Sequence, residues 1–296
     1  MNAGEPILIE FKSDRQPHPF LQGNRLLSVC HEVSHVAILP HSGSAYNILV
    51  QMRINRALAS LGYGSRRAVE ELIVAGKVQV NGEVVTSLSA QADPEKDKIA
   101  VAGRRAPAKI RTRILAFYKP RGVLSTCSDE RGRKCLTEFF PAIGDERVFA
   151  VGRLDKDSEG LLIITNDGDL ANRLMHPSSG VVRTYEITAD PAPLYADIER
   201  LAGEVVLDDG IAKPLSVRPH PTRASDGVVM MSLNEGRNRI VRRIFTKHGF
   251  EVKRLKRIEF GGVGLGSLKA GDSRRVTQEE EAWLRKSAGL AAGKPR

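Results

Sequence analysis

Gly152-Arg153-Leu154-Asp155 sets one carboxylate in a turn between two short apolar runs, Val148 to Val151 and Leu161 to Ile164, each of a length that suits a buried strand. A carboxylate so placed has two chemical uses, attack on an electrophilic carbon or removal of a proton. Both need the ionised form. Burial opposes ionisation, so a cation or several donors must stand against Asp155, and the sequence offers Arg153 beside it and a later arginine cluster.

The elements that must position these groups can be read from the pattern around them. Between Ile114 and about Ala282, short apolar strand candidates alternate with helical segments at 168–175, 193–201 and 237–248, which predicts α+β with a mixed or antiparallel sheet. In the helix after Gly236, Ile240, Val241, Ile244 and Phe245 form one apolar stripe. Arg239, Arg242 and Arg243 are left on the other side, toward a cleft or a polyanion. Tyr185 falls in a strand with Val181, Val182 and Ile187. Lys253, Arg254, Lys256 and Arg257 make a basic strand that can hold phosphates without reading a base sequence.

A second unit precedes this one. Ile54, Ala57, Leu58 and Leu61 have helical spacing ending at Gly62, and Ser65 suits the N-cap of a second helix with Leu72 and Ile73 inward, closed by Gly76. Residues 77–85 then read as two strands about Asn81-Gly82. Arg53, Arg56, Arg66, Arg67 and Lys77 remain for the surface of this helix-helix-hairpin unit.

The formal net charge is +10 over 296 residues and the sequence pI is about 9.7, which favours a polyanionic partner. Residues 1–51 carry Lys12, Arg15 and Arg25 against Glu5, Glu10, Asp14 and Glu32, so the excess, and the partner, lie after Gln51. No apolar run approaches a membrane helix, and the start lacks the pattern of a signal or transit peptide. The expected location is cytoplasmic. Cys30, Cys127 and Cys135 are an odd set without Cys-x-x-Cys spacing, against a disulfide framework or a structural zinc site. His31-Glu32-Val33-Ser34-His35, with His41, matches a zinc-protease spacing, but Ile38 replaces the glycine of the longer motif and Pro40 interrupts the helix it needs. No metal is expected. His176 and Cys127 are further acid/base candidates, though His176 beside Pro177 reads better as a capping or packing residue.

Five stretches together resemble the RsuA/RluB/RluF family of ribosomal RNA pseudouridine synthases. They are Phe117 to Val123, with its Lys119-Pro120 turn; Gly152 to Asp155; Leu174 to Ser178 with Val182 to Glu186; Asn234 to Arg243; and Val252 to Gly264. Gly64 to Arg67 and Ala75 to Gly82 resemble the alpha-L, or S-four-type, RNA-binding module. The stretch Leu170 to Pro177 looks closest to the large-subunit RluB type. The small-subunit RsuA type, the RluF type, and an RNA-binding ribosome-assembly factor without catalysis stand as alternatives.

The resemblance implies isomerisation of a uridine to pseudouridine in ribosomal RNA, or in a pre-ribosomal particle, by a monomer without a cofactor. It makes Asp155 the catalytic residue, as nucleophile at the anomeric carbon or in removal of a neighbouring ribose proton. Tyr185 packs against the target base, and Arg242 pairs with Asp155. RNA contacts are expected from Arg53, Arg66, Arg67, Lys77, Lys119, Arg153, Arg239, Arg243, Lys253 and Arg254. The expected organisation is a leader over 1–51, disordered or upstream of a true start at Met52; an S-four-like domain over 52–103; a linker over 104–112; a synthase domain over 113–282; and a tail over 283–296.

Overall fold

The computed structural model describes residues 51–106, 111–126, 129, 131–140 and 148–290, together with the backbone of Ile7–Leu8 and Ala37–Ile38. The His31/His35 motif, Cys30 and Cys127 lie outside the described residues. The chain divides into two compact units between Arg111 and Thr112.

The first unit has helices α1 (Ile54–Ser60) and α2 (Arg66–Val74) and an antiparallel sheet of β1 (Val78–Val80), β2 (Glu83–Val85), β3 (Ile99–Val101) and β4 (Arg104–Arg105), in the order β2-β1-β3-β4. Ser65 caps α2 by accepting from the Ala68 amide at 3.1 Å. Asn81 and Gly82 both take positive φ, 54° and 93°, as a two-residue hairpin loop with right-handed strand twist requires. Ile54, Leu58, Val69, Ile73 and Val78 form its core. Leu72 is only half-buried; Val69, one turn before Ile73, takes the inward place. Arg104 and Arg105, expected to open a linker, instead pair with Ala100 and Val101.

The second unit is α+β. Its strands are β5 (Ile114–Lys119), β6 (Phe149–Ala150), β7 (Glu159–Thr165), β8 (Arg183–Asp190), β9 (Val205–Leu207), β10 (Gly210–Ala212), β11 (Ser216–Pro219), β12 (Val228–Leu233), β13 (Glu251–Phe260), β14 (Val263–Gly264) and β15 (Ser273–Arg275). Its helices are α3 (Gly168–Met175), α4 (Tyr195–Ala202), α5 (Ile240–Lys247) and α6 (Gln278–Ser287). The central sheet runs β11-β12-β8-β13-β7-β5-β15, with β6 on β7 and β14 on β13, while β9 and β10 form a separate hairpin. Every pairing among these strands is antiparallel except β7 with β13, which is parallel and confined to Glu159 opposite Lys256 and Gly160 opposite Arg257.

The continuous apolar runs of β5 and β7 follow from burial on both faces. Ile114, Ala116, Leu161 and Ile163 pack under α3 and α6, and Leu115, Phe117, Leu162 and Ile164 pack against Val123, Leu136 and Phe139. The segment expected to be a tail from Trp283 is helical to Ser287. Thr277 and Glu280 form a reciprocal capping box, and Leu284 and Ala288, one turn apart, are buried.

Gly160 marks the closest approach in the sheet. Its φ is 107°, and a Cβ there would overlap the Arg257 carbonyl and lie 2.6 Å from the Arg257 nitrogen. Gly160→Ala is expected to cost on the order of 3 kcal/mol or more, since backbone on both sides cannot yield. Urea unfolding of the variant checks this; an unchanged midpoint contradicts the close packing of the two strands.

Candidate active site

The loop 151–158 between β6 and β7 carries Asp155, and its backbone is fastened at several points. Val151 N–H donates to Ile163 O at 2.8 Å, Gly122 N–H to Lys156 O at 2.7 Å, and Ser158 N–H to Asp155 O at 3.1 Å. The Ser125 hydroxyl accepts from Leu154 N–H at 3.0 Å and donates to Leu154 O at 2.7 Å. Gly152 turns the chain with a φ of 74°. Leu154 is buried in the same core as Tyr185, Ile240 and Val241, which fixes the residue before Asp155 from below.

Asp155 itself is not sequestered. Its side chain is 33% exposed, and its nearest cation is Arg239, whose Nη1 lies 3.4 Å from Asp155 Oδ2 and 3.3 Å from Asp157 Oδ1. The expected direct pair with Arg242 is not formed. Arg242, 12% exposed, reaches the neighbouring carboxylate, with Nη2 3.0 Å from Asp157 Oδ2, and donates through Nη1 to Val252 O at 2.8 Å. Arg239 ends up nearer Asp155 because the helix starts only at Ile240, after a left-handed Arg239 with φ 49° that turns its side chain onto the loop. Burial pushes Asp157 up, but Arg242 and Arg239 outweigh it and hold Asp157 below the usual carboxylate range.

Lys119 is a second departure. It is fully buried, so it offers no surface to a phosphate, and its ammonium donates to Pro120 O at 2.9 Å and Val123 O at 2.7 Å. Burial brings its pKa down to about 8, against the opposing pull of Asp155, Asp157 and Glu159. It holds the turn that follows β5 and adds positive charge to the surroundings of Asp155. The exposed cation of that turn is Arg121, which the Lys-Pro-Arg-Gly string contained but the burial pattern of β5 alone decides.

Tyr185 is buried on β8, opposite Met231 on β12 and Arg257 on β13. Arg257, expected to lie with the outward basic residues of β13, points inward. Its Nε donates to Leu161 O at 2.8 Å, its guanidinium stands 5.0 Å from the Phe260 ring, and Nη2 has no hydrogen-bond partner among the described residues. The other expected RNA contacts divide. Arg53, Arg66, Arg67, Lys77 and Arg153 are exposed. Arg243 donates through both terminal nitrogens to Asp209 in the β9–β10 turn, where Arg237 also binds at 2.8 Å, so these two arginines tether the hairpin to α5 and to the turn before it. Lys253 pairs with Glu251 at 2.6 Å, and Arg254 with buried Glu159 at 2.6 Å, which also accepts from the Tyr118 hydroxyl at 2.8 Å. Asp157 and Arg121 thus lie around Asp155 without having been singled out by the sequence pattern, and Arg257 was singled out for the wrong face. His176 is exposed and its Nδ1 lies 2.7 Å from Ser178 Oγ, a local turn contact.

A carboxylate fixed by its backbone, open to solvent on one side and faced by arginines, suits attack at a carbon or a proton on a polyanionic substrate. Comparison with known proteins agrees with that chemistry. Residues 113–247 match the RNA pseudouridylate synthase family and residues 52–99 the S4 domain. An uncharacterised RNA pseudouridine synthase of Mycobacterium leprae is 39% identical over 241 residues, 81% of this chain and 94% of the relative. The ribosomal large subunit pseudouridine synthase B of Bacillus subtilis is 39% identical over 235 residues, 79% of this chain and 95% of the relative. A solved pseudouridylate synthase superposes with a TM-score of 0.57 at 26% identity, covering 79% of this chain and 99% of that one. Among the described residues, no helix is long and apolar enough to cross a membrane.

Proposed function

Because this chain belongs to the RNA pseudouridine synthases and carries an S4 domain ahead of the synthase domain, we propose that it converts one uridine of large-subunit ribosomal RNA to pseudouridine. The reaction breaks the bond from ribose C1′ to uracil N1, turns the base, and joins C1′ to C5; the C5 proton leaves and N1 gains one. Atoms and electrons balance within the nucleotide, and no redox group is called for.

Asp155 acts at the ribose, either attacking C1′ or taking a neighbouring ribose proton, and both routes need its charge. The observation that carries this reading is the placement of Asp155 on an anchored loop against the Arg239–Asp157–Arg242 array. Tyr185 packs on the extruded base, as suits an enzyme that must take its target out of a stack. Arg121, Arg153 and Arg239 hold flanking phosphates, and Arg53, Arg66, Arg67 and Lys77 give the S4 domain its own RNA contacts. The partner is ribosomal RNA or a pre-ribosomal particle, met by a monomer in the cytoplasm.

Carbodiimide mapping of ribosomal RNA from cells with and without the gene tests the reading. One large-subunit uridine is expected to lose its signal in the deletion and regain it with the wild-type gene. A lost signal in the small-subunit RNA moves the assignment to that subunit, and an unchanged map in both overturns the enzyme.

A further inference from the structure

Arg239 is held more loosely than the neighbouring Arg242 and Arg243. A single nitrogen, Nη1, is divided between two carboxylates at 3.3 and 3.4 Å, longer than the roughly 2.7–2.9 Å of a strong charge-assisted bond. Its side chain is 44% exposed, against 12% for Arg242 and 26% for Arg243. Arg242 is also tied to a backbone carbonyl, and Arg243 grips Asp209 with two nitrogens. Asp157 keeps Arg242 if Arg239 leaves, whereas Asp155 has no other ion pair among the described residues. The backbone of Arg239 is held left-handed, a conformation uncommon for a residue with a side chain, and this aims the guanidinium across Asp155. A ribose that approaches Asp155 Oδ2 competes with this guanidinium for the oxygen.

We infer that Arg239 is a transferable cation. In the RNA-free protein it pairs with Asp155 Oδ2, and when the target nucleotide enters it passes to a phosphate beside the extruded uridine, leaving both oxygens of Asp155 to the ribose. Arg239 is in this account a positioning residue for the nucleotide, and one that competes with substrate until it is exchanged. The exchange suits a polyanionic ligand, because the phosphate replaces the charge that Arg239 gives up. The charged groups facing Asp155 in addition to Arg239 are Lys119 from β5, Arg242 from α5, and Asp157 on its own loop. Lys119 and Arg242 are held by backbone carbonyls, so they stay when Arg239 moves.

This inference rests on Asp155 being the residue at the ribose, and its test is a binding measurement that needs no turnover. The full-length chain is compared as wild type, Asp155→Asn, Arg239→Met and the double variant, on deproteinised large-subunit ribosomal RNA from cells lacking the gene, over a range of salt. Arg239→Met is expected to weaken binding about two- to fivefold and to lower the salt slope by about one. Asp155→Asn removes a negative charge in either background and tightens binding somewhat in both. With Arg239 present it also spares the cost of breaking the Arg239–Asp155 contact, so the gain is expected to be about two- to threefold larger than in the Arg239→Met background. Equal gains in the two backgrounds, or an Arg239→Met protein that binds RNA as wild type does, overturn the transfer. A modification map that survives Asp155→Asn overturns the catalytic reading instead, so the two failures are told apart. Arg239→Lys should recover the salt slope and only part of the affinity, because an ammonium lacks the fork that spans two oxygens.

Discussion

Asp155→Asn is expected to lower pseudouridine formation by roughly 10⁴-fold or more, the loss typical when a group that takes part directly in the chemistry is removed. The substitution is nearly isosteric. Leu154, which anchors the loop through the Ser125 hydroxyl, is untouched, so fold and loop geometry are kept. What disappears is the charge that both routes require, attack at C1′ as well as removal of a ribose proton. Single-turnover conversion of the ribosomal RNA target by purified protein is the measurement, with binding followed separately to show that RNA is still held. Turnover within tenfold of wild type would remove Asp155 from the reaction.

Arg242→Ala carries the second largest expected effect, a fall of about 10²-fold in kcat/KM, in the range seen when one preorganised charge is taken from a site. The guanidinium joins three parts of the structure: α5, the Val252 carbonyl of β13, and Asp157 on the 151–158 loop. Without it Asp157 has only Arg239 to pair with, and draws that side chain away from Asp155. Two effects then combine, a displaced loop and a weaker field at Asp155. Arg242→Lys separates them, since it keeps a charge but cannot reach both Val252 O and Asp157, and it should recover part of the rate. Wild-type kinetics in the alanine variant would show that Asp157 needs no partner for catalysis.

The strand runs, the Asn81-Gly82 hairpin, the Ser65 cap and the stripe of α5 were legible because each depends on neighbours within a few residues. The same locality explains what was not legible. Which arginine of α5 meets Asp155 depends on where the helix begins, and the left-handed Arg239 delays that start by a residue pattern no periodicity encodes. Whether Lys119 or Arg121 faces solvent depends on how β5 is covered by Val123 and the loop beyond it. Arg257 looks like one more basic residue of a charged strand, yet it shares the inward face with Leu255 and donates there to Leu161 O. Helix α6 was lost to a tail because its few apolar positions are outnumbered by charge, although the capping box at Thr277 and Glu280 was there to be read.

The brevity of the β7–β13 pairing has a consequence for how the site is put together. Strands β11, β12, β8 and β13 form one half of the sheet, β7, β5 and β15 the other, and the ladder that sews them is two residues long. Asp155 hangs from the second half, while Tyr185, Arg239 and Arg242 belong to the first. Asp155 and these three side chains therefore sit on opposite sides of a two-residue ladder. A side chain forced in at Gly160 would wedge this ladder apart and so alter their spacing, which ties the geometry around Asp155 to a glycine that never touches it.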